Sequence, residues 1–109
     1  MTWVKIDDNF PDHPKIAGLT DSAFRTHLRG ICYAARYLTD GDIPSSVLRS
    51  IGPRKAATEL EAAGLWIKTD HGWQIRDYLD YNPSRADVEQ RRNAARVRMQ
   101  RAREVRANT

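Results

Sequence analysis

Residues 45–75 read SSVLRSIGPRKAATELEAAGLWIKTDHGWQI, and this stretch holds the signals that decide the fold. The serine pair and the apolar residues after it predict a short helix over 45–51. Gly52 ends that helix, and Pro53 suits the first position of a second helix that runs to about Ala63. Two short helices joined by so tight a connection are typical of a helix-turn-helix.

A β-hairpin is predicted directly after these helices. Gly64 favours the left-handed conformation that ends a helix, and two aromatic and β-branched runs follow at 65–68 and 73–75. The polar turn between the two runs closes with Gly72, which is typical of a hairpin loop.

The residues before this stretch predict a strand, a helix and a second short extended segment. Residues 3–6 alternate apolar and polar side chains, which favours a strand, and two prolines within 10–14 indicate a turn-rich connector. Thr20 or Asp21 suits the cap of a helix over 21–38. Apolar residues spaced by three and four positions form the expected buried face of that helix: Phe24, Leu28, Ile31, Ala35 and Leu38.

This order of strand, helix, short strand, two helices and hairpin is that of a winged helix-turn-helix. We therefore expect a mainly α protein of the α+β class, with a winged-helix domain over 1–82. Residues 83–109 have no glycine and no proline after Pro83, and they are rich in Arg and Ala, which predicts an extended basic C-terminal helix. Its apolar stripe is thin, so we expect this helix to need a partner to become fully ordered.

Charge is divided unevenly along the chain. The net charge is +4, but residues 1–83 carry ten Lys and Arg against eleven Asp and Glu. Residues 84–109 carry eight arginines, no lysine and three acids, so the whole basic excess lies there. Arginine favours bidentate recognition of phosphate over attraction by a simple point charge.

Composition excludes several classes of protein. No stretch approaches the roughly 18 consecutive apolar residues of a membrane span, and residues 1–8 lack the apolar run of a signal peptide. The single cysteine excludes an internal disulfide framework, and with three histidines it is too little for the usual Cys/His zinc site. The sequence contains no glycine-rich phosphate loop, so no motif of this kind predicts a bound nucleotide cofactor. We therefore expect a cytoplasmic protein without metal or cofactor.

Several short motifs are spread over residues 1–100: Trp3-Val4-Lys5-Ile6-Asp7, Phe10, His13-Pro14-Lys15-Ile16, Asp40-Gly41-Asp42-Ile43-Pro44, Gly64-Leu65-Trp66, Gly72-Trp73 and Asp77-Tyr78-Leu79-Asp80-Tyr81-Asn82-Pro83-Ser84-Arg85. They resemble replication-initiation and replisome-organizer proteins of bacteriophages and actinobacteria. In that family's pattern an acidic and aromatic link and then an Arg-rich stretch follow the hairpin.

The resemblance implies a phage-type winged-helix protein that binds double-stranded DNA inside a bacterial host. Larger members carry further helicase- or partner-binding regions, for which these 109 residues have no room. We therefore expect a stand-alone binder, acting in replication initiation or in the regulation of transcription, with a phage or host replication or transcription protein as a further partner.

The second short helix exposes the first candidate DNA contacts. Residues near the start of such a helix meet base edges in the major groove, so Arg54 and Lys55 are expected to read guanine and Thr58 to meet a thymine methyl or a phosphate. Glu59 and Glu61 oppose this role because carboxylates repel phosphates. A solvated or protein-facing surface is the alternative hypothesis.

The hairpin offers weaker candidates. Lys68 and His71 lie near its tip, where they can follow a phosphate backbone or enter the minor groove, and an ordinary exposed hairpin is the alternative. Trp66 and Trp73 are expected to pair across the hairpin or to cover the core rather than to stack on nucleic acid.

The C-terminal arginines are the strongest signal for a partner. We expect them to neutralise several phosphates, with an affinity that falls steeply with salt; they are Arg85, Arg91, Arg92, Arg96, Arg98, Arg101 and Arg103. A solvated charged helix is one alternative. A homodimer is another, through the thin stripe of Val88, Ala95, Met99, Ala102 and Val105.

Catalysis has little support in the sequence. Asp7, Asp8 and Asp12 lie close to His13, but Asp in turns is expected to cap the backbone. On the first long helix, His27 is predicted to be a packed or rim residue and Cys32 a small buried one. We therefore predict that the protein is not an enzyme. A protein-interaction module that docks on a host or phage protein is the alternative from a different class.

Overall fold

The computed structural model describes residues 3–76, residue 78 and residues 85–107. The described chain is mainly helical with one small antiparallel sheet, which confirms the α+β class. In chain order the elements are a 3-10 turn (Phe10–Asp12), α1 (Pro14–Ala17), α2 (Asp21–Tyr37), β1 (Asp42–Pro44), α3 (Ser45–Ile51), α4 (Arg54–Ala62), β2 (Trp66–Thr69), β3 (Gly72–Ile75) and α5 (Arg85–Ala107). The predicted domain boundary at 82/83 falls outside the described residues.

The predicted strand at 3–6 is wrong. These residues belong to no described strand. The described sheet consists of β1, β3 and β2 only, and residues 3–6 pair with none of them. Trp3 is 84 % exposed and Ile6 48 % exposed, while Val4 alone packs against the core. Alternation without a neighbouring strand supplies no ladder hydrogen bonds, so it does not make a strand. The connector after it folds into the 3-10 turn and α1.

Helix α2 begins and ends within one residue of its predicted bounds. At its start Thr20 Oγ1 accepts a hydrogen bond from the backbone N–H of Ala23 at 3.2 Å. At its end Leu38 takes the left-handed conformation (φ 54°) and donates its N–H to the carbonyl of Ala34. Side-chain capping at one end and a left-handed closing residue at the other satisfy backbone groups that the helix itself leaves unpaired.

The buried face of α2 agrees with the predicted one only in part, because Ile31 and Ala35 are buried as predicted. Phe24 and Leu28 are only half-buried, and the core side of the helix consists mostly of smaller residues: Ala23, Thr26, His27, Gly30, Ile31, Ala34 and Ala35. Trp66, 1 % exposed, lies against this side, and a Cβ added at Gly30 would come within 2.8 Å of its ring. A buried indole fills the volume, so its neighbours must be small.

Cys32 is exposed, so its predicted burial is wrong. On α2 the solvent side recurs at 25, 29, 32 and 36, which places the thiol one helical step away from the buried Ile31.

The connection between α3 and α4 forms as predicted. Pro53 is the N-cap of α4, one position earlier than expected, and Gly52 caps α3. A Cβ added at Gly52 would collide with the side chain of Thr26 in α2. The three helices can therefore approach this closely only with glycine at the turn. Gly64, after α4, has the predicted left-handed conformation with φ 79°.

The sheet has the order β1-β3-β2, with the predicted hairpin formed by β2 and β3. Lys68 in β2 lies opposite Trp73 in β3, and Ile43 in β1 lies opposite the same tryptophan on the other side. One hydrophobic core joins α2, α3, α4 and the sheet: Ala23, Ile31, Ala34, Ile43, Leu48, Ile51, Ala56, Ala57, Leu60, Trp66, Trp73, Ile75 and Tyr78.

Candidate nucleic-acid interface

Helix α4 presents its predicted contact residues to solvent. Its inner side buries Ala56, Ala57 and Leu60, and 3.6-residue periodicity places Arg54, Lys55 and Thr58 on the opposite side. The hydroxyl of Thr58 donates to the carbonyl of Arg54 at 3.2 Å. The exposed face therefore brings together the three side chains expected to meet a DNA groove; the contact itself stays a prediction.

The carboxylate of Glu59 is hydrogen-bonded to the residue that caps α2. Its Oε2 accepts the backbone N–H of Thr20 at 2.8 Å, and its Oε1 accepts the Thr20 hydroxyl at 2.8 Å. These hydrogen bonds, the backbone one first, hold the pKa of the Glu59 carboxyl below its ordinary value. The ionised carboxylate of Glu59 thus binds the start of α2, and its charge, with that of the exposed Glu61, still opposes an anion at α4.

The hairpin tip is tied to the start of α3. The carbonyl of His71 accepts the backbone N–H of Ser45 at 2.8 Å and the Ser45 hydroxyl at 3.0 Å. The His71 residue itself is exposed, as expected for a partner contact. The tip of the hairpin is therefore held against the first residue of α3.

Lys68 lies on an aromatic ring. Its Nζ is 4.1 Å from the ring centroid of Trp73 and 3.4 Å from the carbonyl oxygen of Gly72. Trp66 and Trp73 are 1 % and 3 % exposed. They cover the core, and direct pairing across the hairpin is not seen because Trp66 lies opposite Ile75.

A cleft of about 600 Å³ opens between α3, α4 and the hairpin. Its lining brings together the cations Arg49, Arg54 and Lys68 with Ser45, Leu48, Gly52, Pro53 and Trp73. Arg49 is absent from the residues that sequence reasoning selects. The available signal is its position five residues before Arg54 across the Gly-Pro turn, because such a turn returns the chain toward the preceding helix end.

Helix α5 exposes nearly all of its length. None of its residues is buried, and Val88 and Ala95 are half-buried. The backbone N–H of Arg85 donates to Asp40 Oδ1 at 2.6 Å, so Asp40 holds the first turn of α5. The predicted cap, Ser84, lies outside the described residues.

The arginines of α5 differ in what they contact. Arg85 Nε pairs with Glu89 Oε1 at 2.9 Å, which engages one predicted phosphate contact within the helix and raises the pKa of its guanidinium. The other predicted contacts are exposed, and they form no ion pair with any residue that the structure describes: Arg91, Arg92, Arg96, Arg98, Arg101 and Arg103. Met99 is 60 % exposed and Val105 64 % exposed, so the homodimer stripe stays a prediction.

His27 belongs to the core. Its Nδ1 accepts the indole N–H of Trp66 at 3.0 Å, and its ring stacks on Phe10 at 5.9 Å between centroids. Burial lowers its pKa from 6.5 to about 4. The residue is therefore a neutral acceptor that orients Trp66, which confirms a packed histidine.

No cluster of three His, Cys, Asp or Glu side chains among residues 3–76, 78 and 85–107 is placed to bind a metal ion. Within the same residues, none of the helices combines the length and apolar character that a membrane crossing requires. Comparisons of the chain with protein-family models, with curated proteins and with solved structures found no match.

Proposed function

We propose that this protein is a non-enzymatic, double-stranded DNA-binding protein of the winged helix-turn-helix type. The observation that carries the proposal is the set of six exposed α5 arginines without a described carboxylate partner. Guanidinium groups bind phosphate oxygens bidentately, and a helix that buries nothing has this surface free for a polyanion.

The order of the elements supports a DNA-reading role for α4. A long helix, a short strand, two helices joined by a tight turn and a hairpin follow one another, and the sheet order is β1-β3-β2. In helix-turn-helix proteins the second helix of the pair enters the major groove, so α4 is the reading helix here. Its exposed Arg54, Lys55 and Thr58 then supply register and base preference.

The affinity comes from α5 in this proposal. Arg92, Arg96 and Arg103 are spaced by four and seven residues, which places them on one side of the helix. At 1.5 Å per residue they span about 17 Å, a distance over which several backbone phosphates lie. The function is replication initiation or transcription regulation in a phage-bearing bacterial cytoplasm, a role that rests on the motif resemblance.

Salt dependence of binding to a random-sequence duplex tests the role of α5. The variant R92Q/R96Q/R103Q is compared with R25Q/R29Q/R36Q, which removes the same charge from exposed positions of α2. We expect the first variant to lower the slope of log K against log salt by roughly 0.9 for each lost phosphate contact, and the control to leave it nearly unchanged. Equal slopes for the two variants contradict the assignment.

Selection of bound sequences from a random DNA pool tests the role of α4. We expect an enriched site whose preference is relaxed in R54A/K55A, because each lost bidentate base contact costs about 1–3 kcal/mol of discrimination. Enrichment that survives unchanged in this variant would show that another element reads the bases.

Exposed apolar side chains on α5 favour a protein partner as the second candidate. Met99 and Val105 present large apolar surface beside the arginines. Under this hypothesis duplex DNA is bound weakly without sequence preference, and M99E disrupts a homodimer detectable by sedimentation equilibrium. If sedimentation equilibrium shows a monomer and the affinity for DNA falls steeply with salt, the homodimer is excluded.

A further inference from the structure

We infer that the cleft between α3, α4 and the hairpin is a phosphate-binding site in which Arg49 is a binding residue. Three separate elements each contribute a cation to it: Arg49 in the last turn of α3, Arg54 at the first position of α4 and Lys68 in β2. None of the described residues that line the cleft is acidic. The inference deepens the proposed function, since the ligand is taken to be a phosphate of the DNA backbone.

The described lining of the cleft carries three positive charges. In the part of the chain that the structure describes, Arg49, Arg54 and Lys68 form no ion pair with a carboxylate. Like charges around one cavity repel each other, and an entering anion relieves that repulsion. Lys68 is already oriented by the Trp73 ring, 4.1 Å away, and an ammonium with three donors keeps capacity beyond its one long bond to Gly72.

The tryptophan of the cleft supplies an independent observation. Trp73 is 3 % exposed and lines the cleft, and its indole N–H has no hydrogen-bond partner among the described residues. A buried donor without an acceptor is rare and costs free energy. By contrast, the indole N–H of the other core tryptophan, Trp66, is satisfied by His27. The Trp73 side chain forms part of the cleft wall, so the resonance of its indole N–H reports on an anion that enters the cleft.

The start of α4 adds a backbone donor to the lining of the cleft. Pro53 caps the helix without any side-chain hydrogen bond, so the first N–H group of the helix, that of the lining residue Arg54, is left for another acceptor. The aligned peptide dipoles place partial positive charge there, which favours an anion. The Arg49 guanidinium, the Lys68 ammonium and the start of α4 together form a site for an oxyanion, and the charge of Arg54 adds positive potential to it.

The size of the cleft indicates a phosphate attached to a larger molecule. At about 600 Å³ it is far larger than one oxyanion needs, and it is open to solvent. A strand of DNA whose bases are read by Arg54 and Lys55 has a backbone phosphate nearby, and the cleft is where we place it. Arg49 then fixes the register of α4 without reading a base.

Titration of the full-length protein with inorganic phosphate tests the site without DNA. The signals followed by NMR are the indole N–H of Trp73 and that of Trp66, whose bond to His27 makes it an internal reference. We expect a saturable shift of the Trp73 signal, absent with chloride at matched ionic strength. Arg49→Gln should weaken phosphate binding about tenfold or more, as loss of a charged hydrogen bond does. The matched control Arg36→Gln, at an exposed position of α2, should leave it unchanged.

Arg49→Lys separates geometry from charge and protects against a variant that misfolds. It keeps the charge but loses the planar fork, so we expect binding between those of the wild type and Arg49→Gln. An unsaturable or absent shift at Trp73, or equal phosphate binding by wild type and Arg49→Gln, overturns the site.

Duplex DNA then identifies the source of the phosphate. We expect Arg49→Gln to weaken binding by about the same factor for every sequence and to lower the salt slope by roughly 0.9. Phosphate binding that depends on Arg49 in a protein that binds no DNA supports the site and contradicts the proposed function. DNA binding that is unaffected by Arg49→Gln, together with no phosphate shift, supports the function and overturns the site.

Discussion

The domain built by α1–α4 and the sheet and the helix α5 are held together by different forces. In the domain Ile43, Leu60 and Trp66 are at most 1 % exposed, whereas α5 buries no residue at all. Burial of apolar surface stabilises the domain, while α5 depends on the helix propensity of Arg and Ala, an i,i+4 ion pair and the hydrogen bond from Arg85 to Asp40.

The residues that stabilise the fold and the residues that carry the positive charge therefore lie in different parts of the chain. Residues that pack the core carry almost no charge, and the arginines that would attract a polyanion lie where they contribute least to folding. We therefore expect substitutions in the domain to change the free energy of unfolding strongly and substitutions in α5 to change it little.

The largest effect is expected from Trp66→Ala. It removes a side chain that is 1 % exposed and leaves a cavity against Gly30, so we expect a loss of about 3–5 kcal/mol in the free energy of unfolding. Urea unfolding followed by Trp73 fluorescence measures it, and Trp66→Phe, which keeps part of the volume, should lose less. Met99→Ala in α5 is the comparison and should stay within about 0.5 kcal/mol. Equal losses from Trp66→Ala and Met99→Ala break the contrast.

Acid should weaken the domain through His27. Burial lowers the pKa of His27 from 6.5 to about 4, so between these pH values the unfolded chain binds a proton that the folded chain excludes. The contribution of neutral His27 to the free energy of unfolding is therefore fully present above pH 6.5. It falls as the pH drops toward 4, by about 3 kcal/mol at most.

His27→Asn isolates this effect. The Asn carbonyl offers an acceptor near the position of Nδ1 but does not titrate in this range, and all other groups are unchanged. Urea unfolding from pH 7 to pH 4 should give a shallower fall for the variant than for the wild type. If the free energy of unfolding falls equally with pH in the variant and the wild type, the folded and unfolded chains bind the His27 proton equally well, which contradicts the prediction.

The smallest effect on domain stability is expected from Ala94→Pro. Proline inside α5 removes a backbone hydrogen bond and breaks the helix, so the helical signal in far-UV circular dichroism should fall. Because α5 lends no buried residue to the core, the midpoint followed by Trp73 fluorescence should not move. A lowered midpoint would reveal packing between α5 and the domain and would narrow the difference between them.

Local signals account for what could be predicted. Some features depend on interactions within a few residues of the chain, and these could be predicted from the sequence. They are the cap at Thr20, the Gly52-Pro53 turn, Gly64 and the two strands of the hairpin. The strand predicted at 3–6 fails for the opposite reason, because a strand exists only where another strand pairs with it.

The candidate site was predictable in part. Arg54, Lys55 and Thr58 follow from the position of α4, since helical periodicity places them opposite its buried side. Arg49 and Glu59 do not follow. Arg49 becomes a candidate only because α3, α4 and β2 meet at one cleft, and Glu59 accepts hydrogen bonds from Thr20, thirty-nine residues earlier in the chain.

The sequence by itself determined the helix order, the turns and the concentration of positive charge in the last quarter of the chain, because propensity, capping and net charge are local or additive properties. Tertiary structure alone decided that small residues of α2 face Trp66, that this indole donates to His27, and that three cations share one cleft. These contacts join residues far apart in the chain, and close packing selects among them only once all the elements are in place.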